Sequence, residues 1–241
     1  MTDGLVLIHA FPLDARMWEA QRLGSRTIAP DLPGFGMAPL GGPTMTMADA
    51  AARCLQAADT AGLGRFVVCG LSMGGYVAFE LWRTARQRIV GLVLANTRAA
   101  ADTPEAAEGR RDLAARLRAE GNILPVAPPP LLAADAPMRL QERVRGWIAD
   151  QSAEAIAAAA EGMAARADST PDLPGIDVPT LVITGEGDRL IPPEVSSPMA
   201  EAIPGARLEI VPAVGHLSNV EAPDRFTRLL RGHLAACGVE P

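Results

Sequence analysis

The chain has 241 residues, 49% of them hydrophobic, and a formal net charge of −6 with no basic run. That composition excludes a disordered chain and argues against nucleic acid or an anionic membrane surface as the main partner. The three cysteines, Cys54, Cys69 and Cys237, are widely spaced and form no C-x-x-C pair. Neither a disulfide framework nor a structural zinc site is therefore expected, and a reducing, cytoplasmic setting fits. The opening stretch MTDGLVLIHAFP has no basic region ahead of its short apolar run, so no secretory leader is expected. No run approaches the ~18 apolar residues that a membrane-spanning helix requires.

In chain order, residues 5–10 form a continuous apolar run of strand length, of the kind buried on both faces of a parallel sheet. The run leads into the loop His9-Ala10-Phe11-Pro12-Leu13-Asp14. A short helix is predicted over 16–23 and a second short strand over 26–29. The Gly- and Pro-rich stretch 34–43 reads as loop. A helix is predicted over 46–61, with Thr46 or Asp49 as its N-cap. Residues 66–69 read as a buried strand, 74–86 as a helix, and 89–94 as the next strand.

This alternation of strand and helix argues for a parallel α/β sheet. It stops after Thr97. Residues 98–175 contain no convincing strand but three helical stretches, 103–120, 136–149 and 152–167, and read as a helical insertion. Alternation then resumes with a strand over 179–184, a helix over 193–203, a strand over 206–211 and a closing helix over 222–236. The predicted division is a core of residues 1–97 and 176–241 interrupted by the insertion 98–175.

The chemistry centres on Gly70-Leu71-Ser72-Met73-Gly74, a G-x-S-x-G turn between a strand and a helix. A serine that must stand clear of its surroundings sits on a sharp bend, which leaves no room for side chains two residues before and after it. The helix that follows aims its free N–H groups and positive dipole end at the reaction centre. A serine nucleophile needs a base, and the chain offers only His9, His216 and His233. His233 lies in the closing helix and reads as solvated. His9 and His216 both fall at the strand C-terminal edge that Ser72 shares. His216, on a loop, can reach over the serine more easily than His9 at a strand end. The acid that orients the base should sit on the same edge. Asp188 does, in the turn after the 179–184 strand, with Glu186 its nearest rival. Asp177 precedes its strand, Asp224 follows His216, and position 96 holds Asn.

The order Ser72, Asp188, His216 is that of the α/β-hydrolases, which the chain resembles. Within that superfamily it is similar to the small bacterial esterase, lactonase and perhydrolase group that includes 3-oxoadipate enol-lactonase. The resemblance rests on the 9–14 loop, Asp31-Leu32-Pro33-Gly34-Phe35-Gly36, Gly70 to Gly75, Gly185-Glu186-Gly187-Asp188 and Gly215-His216. It implies an oxyanion hole from the backbone N–H groups of Phe11 and Met73, and catalysis without metal or cofactor. It also implies that 98–175 is a helical cap, whose inner face would include Leu124, Met138, Trp147, Ile148, Ile156 and Met163, with Trp18 near the oxyanion loop.

Three features depart from the family pattern, one of them Met37, which stands where a serine often follows Gly-x-Gly. Ala10 stands where glycine is more usual. Only four residues precede Leu5, where the family places an antiparallel strand pair, so about six strands are expected in place of eight, with an edge near 26–29. The implied activity is hydrolysis of a small or medium carboxylic ester or lactone by a monomer or homodimer. A carbon–carbon bond hydrolase of diketones, a cofactor-free perhydrolase or haloperoxidase, and a non-catalytic binding protein are the alternatives on the same fold.

Overall fold

The apolar runs become six strands: β1 (Thr2–Ile8), β2 (Thr27–Ile28), β3 (Leu63–Leu71), β4 (Ile89–Ala95), β5 (Thr180–Gly185) and β6 (Arg207–Val211). The computed structural model describes residues 2–240; the ends of the expected core, 1 and 241, lie outside them. The strands form one sheet in the order β2-β1-β3-β4-β5-β6, and every neighbouring pair is parallel. Residues 5–8, 66–71, 91–95 and 180–185 are buried without alternation, so helices cover both faces of the central strands. Two-residue β2 and largely exposed β6 make the edges.

β3 runs longer than the expected 66–69, because it pairs with β1 on one side and β4 on the other. The chain goes outward from β1 to β2 and then returns to place β3 on the other side of β1. The order therefore reverses between β1 and β3, and in an open α/β sheet ligands bind at such a reversal, beyond the strand C-termini. The loop after β1 carries Phe11, and the turn after β3 carries Ser72.

Helix α1 (Met47–Thr60) follows the long loop and begins with a reciprocal cap: the Asp49 N–H donates to Thr46 Oγ1 (3.1 Å) and the Thr46 N–H to Asp49 Oδ2 (2.9 Å). Helix α2 (Met73–Ala85) starts directly behind Ser72. The stretch expected as a helix at 16–23 is a 3-10 segment, Ala15–Gln21, whose first turn Asp14 caps.

Between β4 and β5 lie α3 (Pro104–Glu120), α4 (Met138–Ala149), α5 (Ala153–Ala164) and a 3-10 segment, Thr170–Gly175. The alanines at 157–160 are all fully buried. Their small side chains let α5 lie close to α3 and to the loop before α1, where the Met45 N–H donates to the Ala158 carbonyl (3.1 Å). Gly162 faces the Met45 carbonyl at a distance that leaves no room for a Cβ. At the rim, Arg118 of α3 pairs with Glu154 (3.1 Å) and Glu161 (2.5 Å) of α5.

After β5 come α6 (Pro193–Ala202), the short α7 (Ser218–Glu221), which the sequence reading did not anticipate, and α8 (Pro223–Ala236). His233, expected to be solvated, is buried on α8. It packs with Cys237 against β4 at Gly91, where the missing side chain leaves room for both. Burial lowers its pKa to about 4. Among the described residues no helix is long and apolar enough to cross a membrane.

Candidate active site

The turn after β3 is shaped by close approach. A side chain at Gly70 would meet the Gly74 carbonyl, and one at Gly74 would meet the Ile8 carbonyl of β1. Ser72 itself adopts φ 57° and ψ −115°, a region that non-glycine residues rarely occupy. Its backbone is pinned on both sides: the Ser72 N–H donates to the Ala95 carbonyl (2.9 Å), and Thr97 Oγ1 donates to the Ser72 carbonyl (2.8 Å). The strain is thus held by β4 and the residues following it, and the Ser72 side chain is left partly exposed at the N-terminus of α2.

Across the same edge, His216 Nδ1 donates to Asp188 Oδ2 at 2.8 Å, and both side chains are almost wholly buried. Asp188 lies just beyond β5. Its other oxygen, Oδ1, accepts from the N–H groups of Leu190 (2.9 Å) and Ile191 (3.0 Å). Burial by itself would raise the Asp188 carboxyl. The hydrogen bond and charge of His216, with the Ile191 and Asn96 donors, outweigh it and hold the carboxyl below the usual range.

Asn96, at the end of β4, is the further partner. Its Nδ2 donates to Asp188 Oδ2 (2.9 Å) and to the Gly215 carbonyl (3.3 Å), while its Oδ1 accepts from Ser218 Oγ (2.6 Å). It does so from φ 45°, a left-handed conformation that Asn tolerates better than most residues. Glu221 of α7 steadies the histidine loop from below, accepting from the N–H groups of Gly215 (2.9 Å) and Ala133 (2.8 Å).

Ser72 and His216 both line a cavity of about 240 Å³, together with Phe11, Tyr76, Met163 and a wall from the β4–β5 insertion. The Phe11 N–H has no acceptor among the described residues. Met73 is the first residue of α2, so its N–H has no intrahelical acceptor. The arrangement sets a hydroxyl and a carboxylate-oriented imidazole on one small space, with Phe11 on its wall and Met73 next in chain to Ser72. Among the described residues no group of three His, Cys, Asp or Glu side chains is placed to hold a metal ion.

Residues 5–229 match the model of the alpha/beta hydrolase family. The chain belongs to that family. The fold agrees closely with a thermophilic esterase from Thermogutta terrifontis, at a TM-score of 0.92 and 40% identity over 98% of this chain and 90% of the other. It also agrees with the enol-lactonase from Burkholderia xenovorans LB400, at a TM-score of 0.88 and 31% identity over 98% of this chain and 92% of that one. Among curated sequences, 3-oxoadipate enol-lactonase 2 of Acinetobacter baylyi is 32% identical over 66% of this chain, a match that spans 59% of the lactonase's length. These relatives are hydrolases.

Several residues that the sequence reading put at the pocket lie elsewhere. Met163 does line the cavity. Trp18 does not: it is fully buried against Phe226, with ring centroids 5.8 Å apart. Met138, the first residue of α4, is 74% exposed. Trp147 faces Arg143 and a separate surface cleft beside Glu19. Leu124, Ile148 and Ile156 are buried in packing and are absent from the cavity wall. His9 is fully buried, with Nε2 accepting from the Leu32 N–H (3.0 Å) and Nδ1 donating to the Ala10 carbonyl (3.1 Å). Both ring nitrogens are thereby engaged, and burial lowers its pKa. Its work is to tie the β1 terminus to the loop at Leu32.

The wall residues that sequence reasoning missed are Tyr76, one turn past Ser72 on α2, Arg98, Arg110, Leu113, Pro129, Leu131 and the pair Leu190–Ile191. Two signals could have found some of them: Leu190 and Ile191 lie two and three residues beyond Asp188, and Arg98 lies two residues beyond Asn96.

Proposed function

We propose that this protein is a serine hydrolase that cleaves a small carboxylic ester or lactone through an acyl-enzyme on Ser72. The observation that carries the reading is the 2.8 Å Asp188–His216 pair, whose histidine lines the same cavity as a strained, partly exposed serine at a helix N-terminus. His216 Nε2 takes the Ser72 hydroxyl proton as Oγ attacks the substrate carbonyl. Asp188 holds the imidazole in the required tautomer and stabilises the imidazolium. The tetrahedral oxyanion is met by the N–H groups of Met73 and Phe11, each such donor worth about 3–4 kcal/mol of barrier. Collapse breaks the acyl carbon–oxygen bond, and His216 returns the proton to the leaving oxygen. A water deprotonated by His216 then releases the acid and restores Ser72.

Residues 98–175 are read as a cap on the core 1–97 and 176–241, since they supply Arg110, Leu131 and Met163 to the cavity. The cavity is smaller than the roughly 300 Å³ lower bound for drug-sized ligands, which favours a short substrate. Three free thiols, two of them buried, suit a reducing, cytoplasmic setting.

The test is stopped-flow hydrolysis of 4-nitrophenyl acetate with intact-mass analysis of the quenched protein. Wild type should show a burst and a single acetyl adduct per chain; Ser72→Ala should show neither. A folded wild-type protein with no adduct and no turnover would defeat the reading.

A further inference from the structure

Asp102 lies in the connection between β4 and α3, and its carboxylate has no solvent exposure. Three guanidinium groups from three parts of the chain converge on it. Arg98, just past β4, donates to Oδ1 through a terminal nitrogen. Arg110 of α3 donates to Oδ2 through Nε (2.6 Å), and Arg166, just past α5, pairs with Oδ2 at 2.8 Å. Burial alone would raise this carboxyl, but Arg110 and Arg166 outweigh it and keep Asp102 ionised. One further carboxylate, the exposed Asp168, shares the field of Arg166. The cluster therefore carries three positive charges against one buried and one exposed negative charge.

The excess faces the cavity. Arg98 and Arg110 both line it beside Ser72 and His216, and no acidic side chain is among the described residues that do. Arg110 meets Asp102 through Nε, leaving both terminal nitrogens without a protein acceptor among the described residues. Nε of Arg98 and Nε of Arg166 are buried and equally without an acceptor. Arg166 also sits over the ring of Tyr76, another cavity residue, 4.0 Å from its centroid. A purely structural ion-pair cluster has no need of more cations than anions, and closely held like charges repel. Guanidinium forks with open N–H groups are the side chains best suited to a planar carboxylate.

We infer that the hydrolase is selective for short esters or lactones bearing a free carboxylate, which Arg98 and Arg110 bind while Ser72 attacks the scissile carbonyl. The inference rests on the reading of Ser72 and His216 given above. The overall reaction stays a hydrolysis: water adds across the acyl carbon–oxygen bond, and the half-ester of a dicarboxylic acid gives the dicarboxylic acid and an alcohol. Asp102 is the positioning residue, holding both arginines in place from behind.

Binding tests the anion site without catalysis. Ser72→Ala is titrated calorimetrically with succinate, glutarate and adipate, and with their neutral diamides. At least one dicarboxylate should bind tenfold or more tightly than its diamide, and the preference should shrink as salt rises. It should disappear in Ser72→Ala/Arg110→Met and survive in part in Ser72→Ala/Arg110→Lys. Arg98→Met replaces Arg110→Met if the latter fails to give a cooperative melt. Turnover of the monomethyl and dimethyl esters of the same acids by the Ser72 enzyme is followed by pH-stat. The ratio of kcat/KM, half-ester over diester, should exceed ten and fall at least tenfold in Arg110→Met. Equal binding of dicarboxylate and diamide, or a ratio that Arg110→Met leaves unchanged, would overturn the inference. Dicarboxylate binding that depends on Arg110, with no acylation by any ester, would sustain the anion site and defeat the hydrolase reading instead.

Discussion

Asp188 has hydrogen-bond donors on both of its carboxylate oxygens. Oδ1 is occupied by two backbone N–H groups, and Oδ2 is shared between Asn96 and His216. An asparagine at 188 could keep the Oδ1 bonds but would present an amide where His216 Nδ1–H needs an acceptor, favouring the wrong tautomer. Asp188→Asn should therefore lower kcat for a 4-nitrophenyl ester by about three to four orders of magnitude, with little change in KM, because the side chain does not line the cavity. An equal fall in both Asp188→Asn and Asp224→Asn would sink that account.

The positions of Ser72, Asp188 and His216 were readable in the sequence because each follows a strand, and a parallel sheet gathers strand C-termini on one edge. Asn96 was weighed only as a missing acid. Its actual place, bonded to Asp188, Gly215 and Ser218 from a left-handed backbone, depends on three elements meeting and leaves no local signal. The cavity wall was less legible for a related reason. Whether an apolar residue of the insertion faces the cavity, the packing or solvent depends on how α3, α4 and α5 dock, so Met163 and Met138 read alike and end up in opposite environments.

At the scale of elements, strands were easiest to read because they are continuous apolar runs, and helix starts where a cap marked them. Thr46 is one such start. Its hydroxyl accepts from Asp49 N–H while Asp49 returns a bond to the Thr46 N–H, and both residues are exposed. Thr46→Ala removes one half of this exchange and should cost about 1 kcal/mol, a fall in Tm of about 2–4 °C for a chain of this size. Urea denaturation of the two proteins measures it; an unchanged midpoint would mean that packing of α1 on α2 and β3, not the cap, fixes the helix start. The short segments were not legible. Ala15–Gln21 winds as a 3-10 segment because Asp14 caps its first turn from a carboxylate that also engages Arg16 and Gln151. α7 spans only Ser218–Glu221, too few residues for a periodic pattern, and exists where Glu221 and Asn219 are anchored to distant backbone.

For the molecule as a whole, burial of neutral histidines couples stability to pH. His233 lies between α8 and β4, and its pKa falls from 6.5 to about 4. Between those values the unfolded chain binds the proton and the folded chain does not, so stability is complete above pH 6.5 and is lost as pH falls toward 4. The full effect of this one residue is at most about 3 kcal/mol. His9 is shifted in the same direction by its own burial and adds to the slope. Glu221 opposes it: burial, reinforced by the Asp188 charge, raises its pKa, so its contribution fades as pH rises. Comparing wild type with His233→Gln cancels these shared terms. Unfolding free energies from urea titrations at pH 7, 6, 5 and 4.5 should fall more steeply for wild type than for His233→Gln, the two curves converging toward low pH even if the variant starts lower. Parallel curves would mean that His233 takes up its proton in the folded state, and that α8 yields enough at Gly91 to let water reach the ring.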